Sequence, residues 1–99
     1  MIMTINKTAN GNELVIALAG RLDTTTAPQL DEEVKAIDGV TKLVFDFAAL
    51  EYISSAGLRV LLSAQKIMNK QGSMVIKNVN EEIREIFDVT GFIDILTIE

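Results

Sequence analysis

The sequence contains no cysteine, histidine or tryptophan, and it has one proline and one tyrosine among its 99 residues. Without cysteine the chain can form neither a disulfide framework nor a thiolate metal site. Without histidine it can build no Ser-His-Asp triad and no His-ligated metal centre, and it has no histidine general base. We therefore expect a protein that catalyses nothing and holds no cofactor.

Long apolar runs and basic clusters are lacking too. No apolar run approaches the roughly 18 residues of a membrane-spanning helix. The N-terminus has no basic segment followed by an apolar one, as a signal peptide would have. The net charge of −5 disfavours nucleic-acid binding, which needs a concentrated basic surface. We expect a cytoplasmic protein that binds neither nucleic acid nor membrane.

The composition nevertheless allows one hydrophobic core. Hydrophobic residues make up 48% of the chain, and a chain of this length has no room for a second core. We therefore expect a single domain over residues 1–99.

Apolar periodicity and turn residues predict the element order β-β-α-β-α-β-α-β. Strands are predicted over residues 1–8, 13–18, 42–47, 73–77 and 93–98, and helices over residues 27–37, 55–70 and 81–90. Asn10-Gly11 predicts a hairpin turn between the first two strands, because both residues tolerate positive φ. Gly20 is expected to end the second strand.

Capping residues predict where the helices begin and end. Thr26 with Gln29 fits a capping box before the first helix, whose first turn tolerates Pro28. The third helix should begin after Asn80, a favoured N-cap residue. It should end at Gly91 in the left-handed conformation.

The alternation of strands and helices predicts the fold class. It indicates a mostly parallel sheet with right-handed crossovers, and the opening antiparallel hairpin makes the sheet mixed. We predict an α/β fold with a mixed four- to five-stranded sheet and helices packed on it. In residues 43–47, four of five side chains are large and apolar. Such a run is typical of a strand buried on both faces and predicts helices on both sides of the sheet.

Functional sites in such sheets gather where strands lead into helices. Residues 22–26 and 48–55 are the two segments of this kind. Ser54 and Ser55 stand at the start of the second helix, where serine is a favoured N-cap. Alternatively, an exposed hydroxyl here could carry a phosphate, which a helix N-terminus favours. Gly57 is either an ordinary first-turn residue or a place where a partner's backbone or a phosphate approaches closely.

Four segments together resemble the STAS domain, and most of all the bacterial anti-sigma factor antagonists. In chain order they are Gly20-Arg21-Leu22-Asp23, Leu43-Val44-Phe45-Asp46-Phe47, Tyr52-Ile53-Ser54-Ser55-Ala56-Gly57-Leu58-Arg59-Val60-Leu61 and Ile86-Phe87-Asp88-Val89-Thr90-Gly91-Phe92. The resemblance covers the whole chain, and the serine-glycine-leucine segment is its most specific part. The C-terminal helix of longer family members is expected to be missing or minimal.

The resemblance implies a mechanism called partner switching. An unphosphorylated domain of this kind binds an anti-sigma factor that is also a serine kinase, and so frees the sigma factor. The kinase phosphorylates the domain on a serine, and binding is lost. A PP2C-type phosphatase restores it.

The resemblance also implies site residues. The family's acceptor serine stands two residues before the Gly-Leu pair, which is Ser55 here. The usual acidic residue before it is Ser54 in this chain, so Ser54 remains an alternative acceptor. Asp23 matches an aspartate beside the acceptor. Either its carboxylate hydrogen-bonds the site and keeps the loop in shape for the kinase, or Asp23 is an ordinary turn residue. Asp46 matches a structural strand-end position. The predicted partner-binding residues are Asp23, Thr24, Thr25, Ser54, Ser55, Ala56, Gly57, Leu58 and Arg59.

Other functions agree less well with the sequence. A serine hydrolase would need a Gly-x-Ser-x-Gly elbow and a histidine base, and no phosphate-binding glycine motif is present. Asp46 and Lys77, each late on a strand, superficially match a response-regulator receiver, but the first strand does not end in an acidic pair for Mg²⁺. The remaining alternative is a non-switching STAS regulatory subunit of a transporter or other signalling assembly.

Overall fold

The computed structural model describes residues 3–99. Its elements are β1 (Met3–Asn10), β2 (Glu13–Leu22), α1 (Ala27–Val34), β3 (Lys42–Ile53), α2 (Ser55–Gln71), β4 (Ser73–Lys77), α3 (Glu81–Thr90) and a 3₁₀ turn (Phe92–Asp94). The predicted order is confirmed through the third helix. Residues 1 and 2 of the predicted first strand lie outside the described residues. The predicted last strand over 93–98 is wrong, since only one bridge forms there, between Ile98 and Ile76.

The sheet is mixed, as predicted, and its four strands follow chain order, β1-β2-β3-β4. β1 and β2 are antiparallel, while β3 is parallel to both β2 and β4. The hairpin loop is Gly11-Asn12, because Asn10 already pairs with Glu13. Gly11 has a φ of +62° and Asn10 does not have a positive φ. The Asn10-Gly11 turn is therefore wrong by one residue, and glycine occupies the first central position, as in type II′ turns.

The core lies on one face of the sheet. Leu43, Phe45 and Phe47 of β3 join one cluster with buried side chains from all three helices. Both crossovers step in the same direction across the sheet, so right-handed connections place α1 and α2 on the same face. The prediction of helices on both sides is therefore wrong. Val44 points the other way, yet it is only 4% exposed, because it lies in a central strand between Val15 and Val75.

The two central strands are longer than predicted. β2 runs past Gly20 to Leu22, and β3 runs to Ile53, so residues 48–53 are strand and not loop. The pairing of β3 with β2 shifts its register twice. β3 has one extra residue opposite the step from Ala17 to Ala19 of β2, and another opposite the step from Gly20 to Arg21. These are β-bulges. Gly20 has a φ of +97°, so glycine bends the strand here instead of ending it.

The first helix is shorter than predicted. It ends at Val34, because the amide of Ala36 donates to the carbonyl of Glu33 and the last turn tightens to 3₁₀ geometry. Ile37, placed by the prediction on the apolar stripe of the helix, is still buried.

Candidate functional site

The ends of β2 and β3 bring the two predicted loop segments together. Leu22 pairs with Ile53 at the last position of both strands. One residue further, the Ser54 amide donates to the Leu22 carbonyl at 2.9 Å. The segment after β2 and the start of α2 therefore lie side by side. We call the resulting region the strand-end surface, made of residues Asp23, Thr24, Thr25, Ser54, Ser55, Ala56 and Arg59.

Asp23 holds the loop after β2 in one shape. Its Oδ1 accepts hydrogen bonds from the Thr25 hydroxyl at 2.7 Å, the Thr25 amide at 3.0 Å and the Thr26 amide at 3.3 Å. The hydrogen bond from the Thr25 side chain is the main reason that the pKa of Asp23 lies below its ordinary value of 3.8. The carboxylate thus stays ionised and is a poor proton acceptor.

Thr26 anchors this loop to the strand before it. Its hydroxyl donates to the Arg21 carbonyl at 2.8 Å and accepts from the Asp23 amide at 2.8 Å. The side chain makes no capping bond to α1, so the predicted capping box of Thr26 with Gln29 is wrong. Thr26 is buried in the loop, so its hydroxyl bonds the backbone groups of the loop and not the first turn of α1. Pro28 does lie in the first turn of α1, as predicted.

The two adjacent serines have different surroundings. Ser54 is the N-cap of α2, is half-buried, and its Oγ accepts from the Gly57 amide at 3.5 Å. Ser55 is the first helical residue and is exposed. Within residues 3–99, no protein group hydrogen-bonds the Ser55 hydroxyl. This arrangement presents the Ser55 Oγ to an approaching protein.

Gly57 and Leu58 lie beneath the strand-end surface. Leu58 is buried. A Cβ at position 57 would lie 2.7 Å from Cγ of Leu22 and 2.8 Å from Cγ1 of Ile53. Glycine at this position therefore serves close packing of α2 on the two strand ends. Direct contact of these two residues with a partner does not agree with their burial, and they support the surface from below.

A groove of about 310 Å³ runs between α1 and α2 from the strand-end surface. Arg59 stands exposed on its α2 side, one helical turn after Ser55. The lining residues are Thr24, Ala27, Pro28, Asp31, Ala56, Arg59, Val60 and Ser63. The α1 residues of this groove were missed by the sequence reasoning, since amphipathic periodicity does not tell which two helices lie side by side.

Arg21 and Tyr52 form a second feature that sequence reasoning missed. The Arg21 guanidinium lies 4.2 Å from the centroid of the Tyr52 ring, in cation–π distance. Its Nε is 3.8 Å from Oδ2 of Asp23. The second bulge creates this pair by setting Arg21 opposite Tyr52, so no pattern within either strand could have revealed it.

Asp46 lies at the first bulge, on the sheet face away from the helices. Its Oδ1 accepts from the Asn78 side chain at 2.9 Å and from the Ala48 amide at 3.0 Å. Both hydrogen bonds lower the pKa of Asp46, and the one from Asn78 has the larger effect. A carboxylate used to hold a bulge agrees with the structural role predicted for it.

In residues 3–99, no three acidic side chains come together in a way that could hold a metal ion. No helix within that range has the length and apolar character needed to cross a membrane.

The fold and sequence relate the chain to known proteins. A family model for the STAS domain matches residues 4–99. The chain is 39% identical over 88 residues to BtrV of Bordetella bronchiseptica, provisionally named as an anti-sigma factor antagonist, and the match covers 86% of this chain and 76% of BtrV. It is 31% identical over 100 residues to the anti-sigma-B factor antagonist of Bacillus subtilis, with 99% of this chain and 92% of that one covered.

Solved structures agree at the level of the fold. An anti-sigma factor antagonist from Mycobacterium paratuberculosis matches with a TM-score of 0.89 at 23% identity, covering 98% of this chain and 85% of that one. The family that the four sequence segments predicted is confirmed: the chain belongs to the STAS domain family.

Proposed function

We propose that the protein is an anti-sigma factor antagonist that works by partner switching on Ser55. The unphosphorylated form binds an anti-sigma factor that is also a serine kinase, and this releases the sigma factor. The kinase phosphorylates Ser55 and binding is lost, until a PP2C-type phosphatase removes the phosphate. Relatives named as anti-sigma factor antagonists along nearly the whole chain support this role.

The contrast between Ser55 and Ser54 carries the proposal. Ser55 is exposed and its hydroxyl has no hydrogen-bond partner in the described part of the chain, whereas the Ser54 Oγ caps α2. A kinase can reach the Ser55 hydroxyl without disturbing the helix. Phosphorylation of Ser54 would instead disrupt the hydrogen bond that caps α2, so we take Ser55 as the acceptor.

The chain acts as a substrate in this reaction. The Ser55 Oγ attacks the γ-phosphorus of ATP, the bond from that phosphorus to the bridging oxygen breaks, and ADP leaves. We assign the base that takes the serine proton to the kinase, because the Asp23 carboxylate already accepts hydrogen bonds from Thr25 and Thr26, which lower its pKa.

Phosphorylation should change binding without unfolding the domain. A phosphate carries roughly −1.5 to −2 charges and is favoured at a helix N-terminus. At an interface it loses hydration, and a penalty of about 2.7 kcal/mol already weakens binding a hundredfold.

We place the protein in the cytoplasm, as a single domain over residues 1–99 that acts on proteins and not on nucleic acid or membrane. The lack of histidine and cysteine supports a regulatory, non-enzymatic role.

Mass spectrometry after incubation with ATP and an anti-sigma factor of the source organism that has serine kinase activity tests the proposal. We expect one phosphate, mapped to Ser55. Ser55→Ala should stay bound to the kinase, Ser55→Asp should bind poorly, and the control variants Ser54→Ala and Ser73→Ala should still be phosphorylated. A wild type that binds but is never modified would be a non-switching STAS subunit, and the proposal would fail.

A further inference from the structure

We propose that Arg59 is the cation on which the switch acts: it binds a carboxylate of the partner protein while Ser55 is unmodified, and it binds the phosphate once Ser55 is phosphorylated. This inference rests on the proposed function. It concerns how phosphorylation ends binding, which charge repulsion alone could also explain.

Arg59 has no carboxylate partner within residues 3–99. The described salt bridges join Lys7 to Glu33, Arg21 to Asp23, Lys35 to Asp31 and Lys77 to Glu99. Asp31 also lines the groove beside Arg59. Its carboxylate, however, lies 2.9 Å from the Lys35 ammonium. The Arg59 guanidinium is therefore available to an acidic group from outside.

The helix directs Arg59 toward Ser55. The two residues are four apart on α2, and side chains at this spacing are neighbours on a helix surface. Side chains of a helix also lean toward its N-terminus, so a long arginine at position 59 extends toward position 55. A phosphoserine there offers three acceptor oxygens, and arginine binds such a group through two parallel hydrogen bonds.

The groove indicates which partner Arg59 meets before phosphorylation. Its small apolar residues Ala27, Ala56 and Val60 lie beside the charged Arg59. A complementary protein segment would place an apolar side chain in the groove and an Asp or Glu against the guanidinium. We assign this segment to the anti-sigma factor, since the groove begins at the strand-end surface that carries Ser55.

The partner's carboxylate and the phosphate on Ser55 then compete for the guanidinium of Arg59. Phosphorylation would capture Arg59 within the same helix, and the partner's carboxylate would be left without its cation. A buried charge without a partner weakens binding strongly. The switch would therefore work by withdrawing an attraction as well as by adding repulsion.

The phosphate half of the inference can be tested without any partner. Phosphoserine is incorporated at position 55 during translation, and its second pKa, about 6 in unperturbed phosphoserine, is followed by ³¹P NMR. We expect Arg59→Ala to raise this pKa relative to the wild type. Lys66→Ala removes an exposed cation two turns further along α2 and should leave it unchanged. Equal values for wild type and Arg59→Ala would overturn the inference.

The partner half is tested by a binding cycle with the same anti-sigma factor kinase. Arg59→Ala should weaken binding of the unphosphorylated domain about tenfold, the loss of one charge-assisted hydrogen-bonded contact. It should also reduce the fold-change caused by phosphorylation by about tenfold. Arg59→Lys should restore part of both effects, because it keeps the charge but not the paired donors. Circular dichroism checks that each variant is folded.

The outcomes separate this inference from the proposed function. If phosphorylation weakens binding equally in wild type and Arg59→Ala, Arg59 takes no part in the switch and the inference fails, while the proposed function stands. If phosphorylation does not change binding of the wild type, the proposed function itself fails.

Discussion

Gly57 lies so close to Leu22 that a Cβ on residue 57 would stand 2.7 Å from Cγ of Leu22. The first turn of α2 thus rests directly on the end of β2. This contact presents Ser55 at the surface while the next turn of the helix enters the core.

Gly57→Ala should destabilise the domain, although alanine favours helices. Overpacking against Leu22 and Ile53 costs about 1–3 kcal/mol, and the gain in helix propensity of about 1 kcal/mol offsets only part of it. Urea unfolding should show a lower free energy of unfolding. Ser63→Ala, on the exposed face of α2, should change it by less than about 0.5 kcal/mol.

A double variant separates crowding from other causes. Leu22→Ala opens space beside residue 57, so Leu22→Ala combined with Gly57→Ala should lose less stability than the sum of the two single losses. Strict additivity, or a Gly57→Ala protein as stable as the wild type, would contradict the crowding that the structure shows.

The N-caps of α2 and α3 should differ in strength. Asn80 Oδ1 accepts from the Ile83 amide at 2.8 Å, and its Nδ2 donates to the Leu50 carbonyl at 3.1 Å. Within residues 3–99, the Ser54 Oγ makes only one hydrogen bond, at 3.5 Å. We expect Asn80→Ala to lower the free energy of unfolding by about 2 kcal/mol and Ser54→Ala to lower it by about 0.5 kcal/mol.

Chemical denaturation of both variants measures this difference. Asn6→Ala, at an exposed position of β1, serves as the asparagine control and should be near neutral. Equal losses for Ser54→Ala and Asn80→Ala would show that the Ser54 cap is stronger than its geometry indicates. That result would weaken the argument that Ser54 is engaged and Ser55 free.

Asp23 should make the stability of the domain depend on pH in acid. The pKa of Asp23 in the folded state lies below its ordinary value of 3.8, so the unfolded chain binds more protons between the two values. Its stabilising contribution is therefore fully present above pH 3.8 and is lost as the pH falls through the folded-state pKa.

Asp23→Asn removes this titration, so its free energy of unfolding should fall less steeply below about pH 4 than that of the wild type. Thr25→Val, which removes the hydroxyl that bonds Asp23 most closely, should give an intermediate slope. Asp46, whose pKa is also lowered, titrates in all three proteins and cancels in the comparison. Parallel pH profiles for wild type and Asp23→Asn would contradict the role of the carboxylate.

Local chemistry in the sequence predicted the features that depend on neighbouring residues. Asn80 caps α3, and Gly91 ends it with a φ of +81°. Polar residues recur along α2 at steps of four, three and four residues, a helical spacing that predicts one solvent-facing stripe. All of them are exposed, namely Arg59, Ser63, Lys66 and Lys70. Such features depend on a few consecutive residues, and the rest of the fold does not have to be known.

Features that depend on strand pairing could not be predicted in this way. The bulges of β3 extend a strand through residues that looked like a loop, and they place Arg21 over Tyr52. The apolar run in β3 indicated burial on both faces, but adjacent valines in the sheet bury Val44 without a helix. In each case the deciding partner is distant along the chain.

The sequence by itself determined the family and the pair of serines at the start of α2, because both follow from residue types at short spacing. The resemblance already favoured Ser55 as the acceptor, and only the tertiary structure showed that the two serines have different surroundings. The strand ends hold the Ser54 amide against Leu22, so its hydroxyl caps the helix and the Ser55 hydroxyl remains at the surface. That distinction, and the groove beside Arg59, come from packing between segments that the sequence does not show to be neighbours.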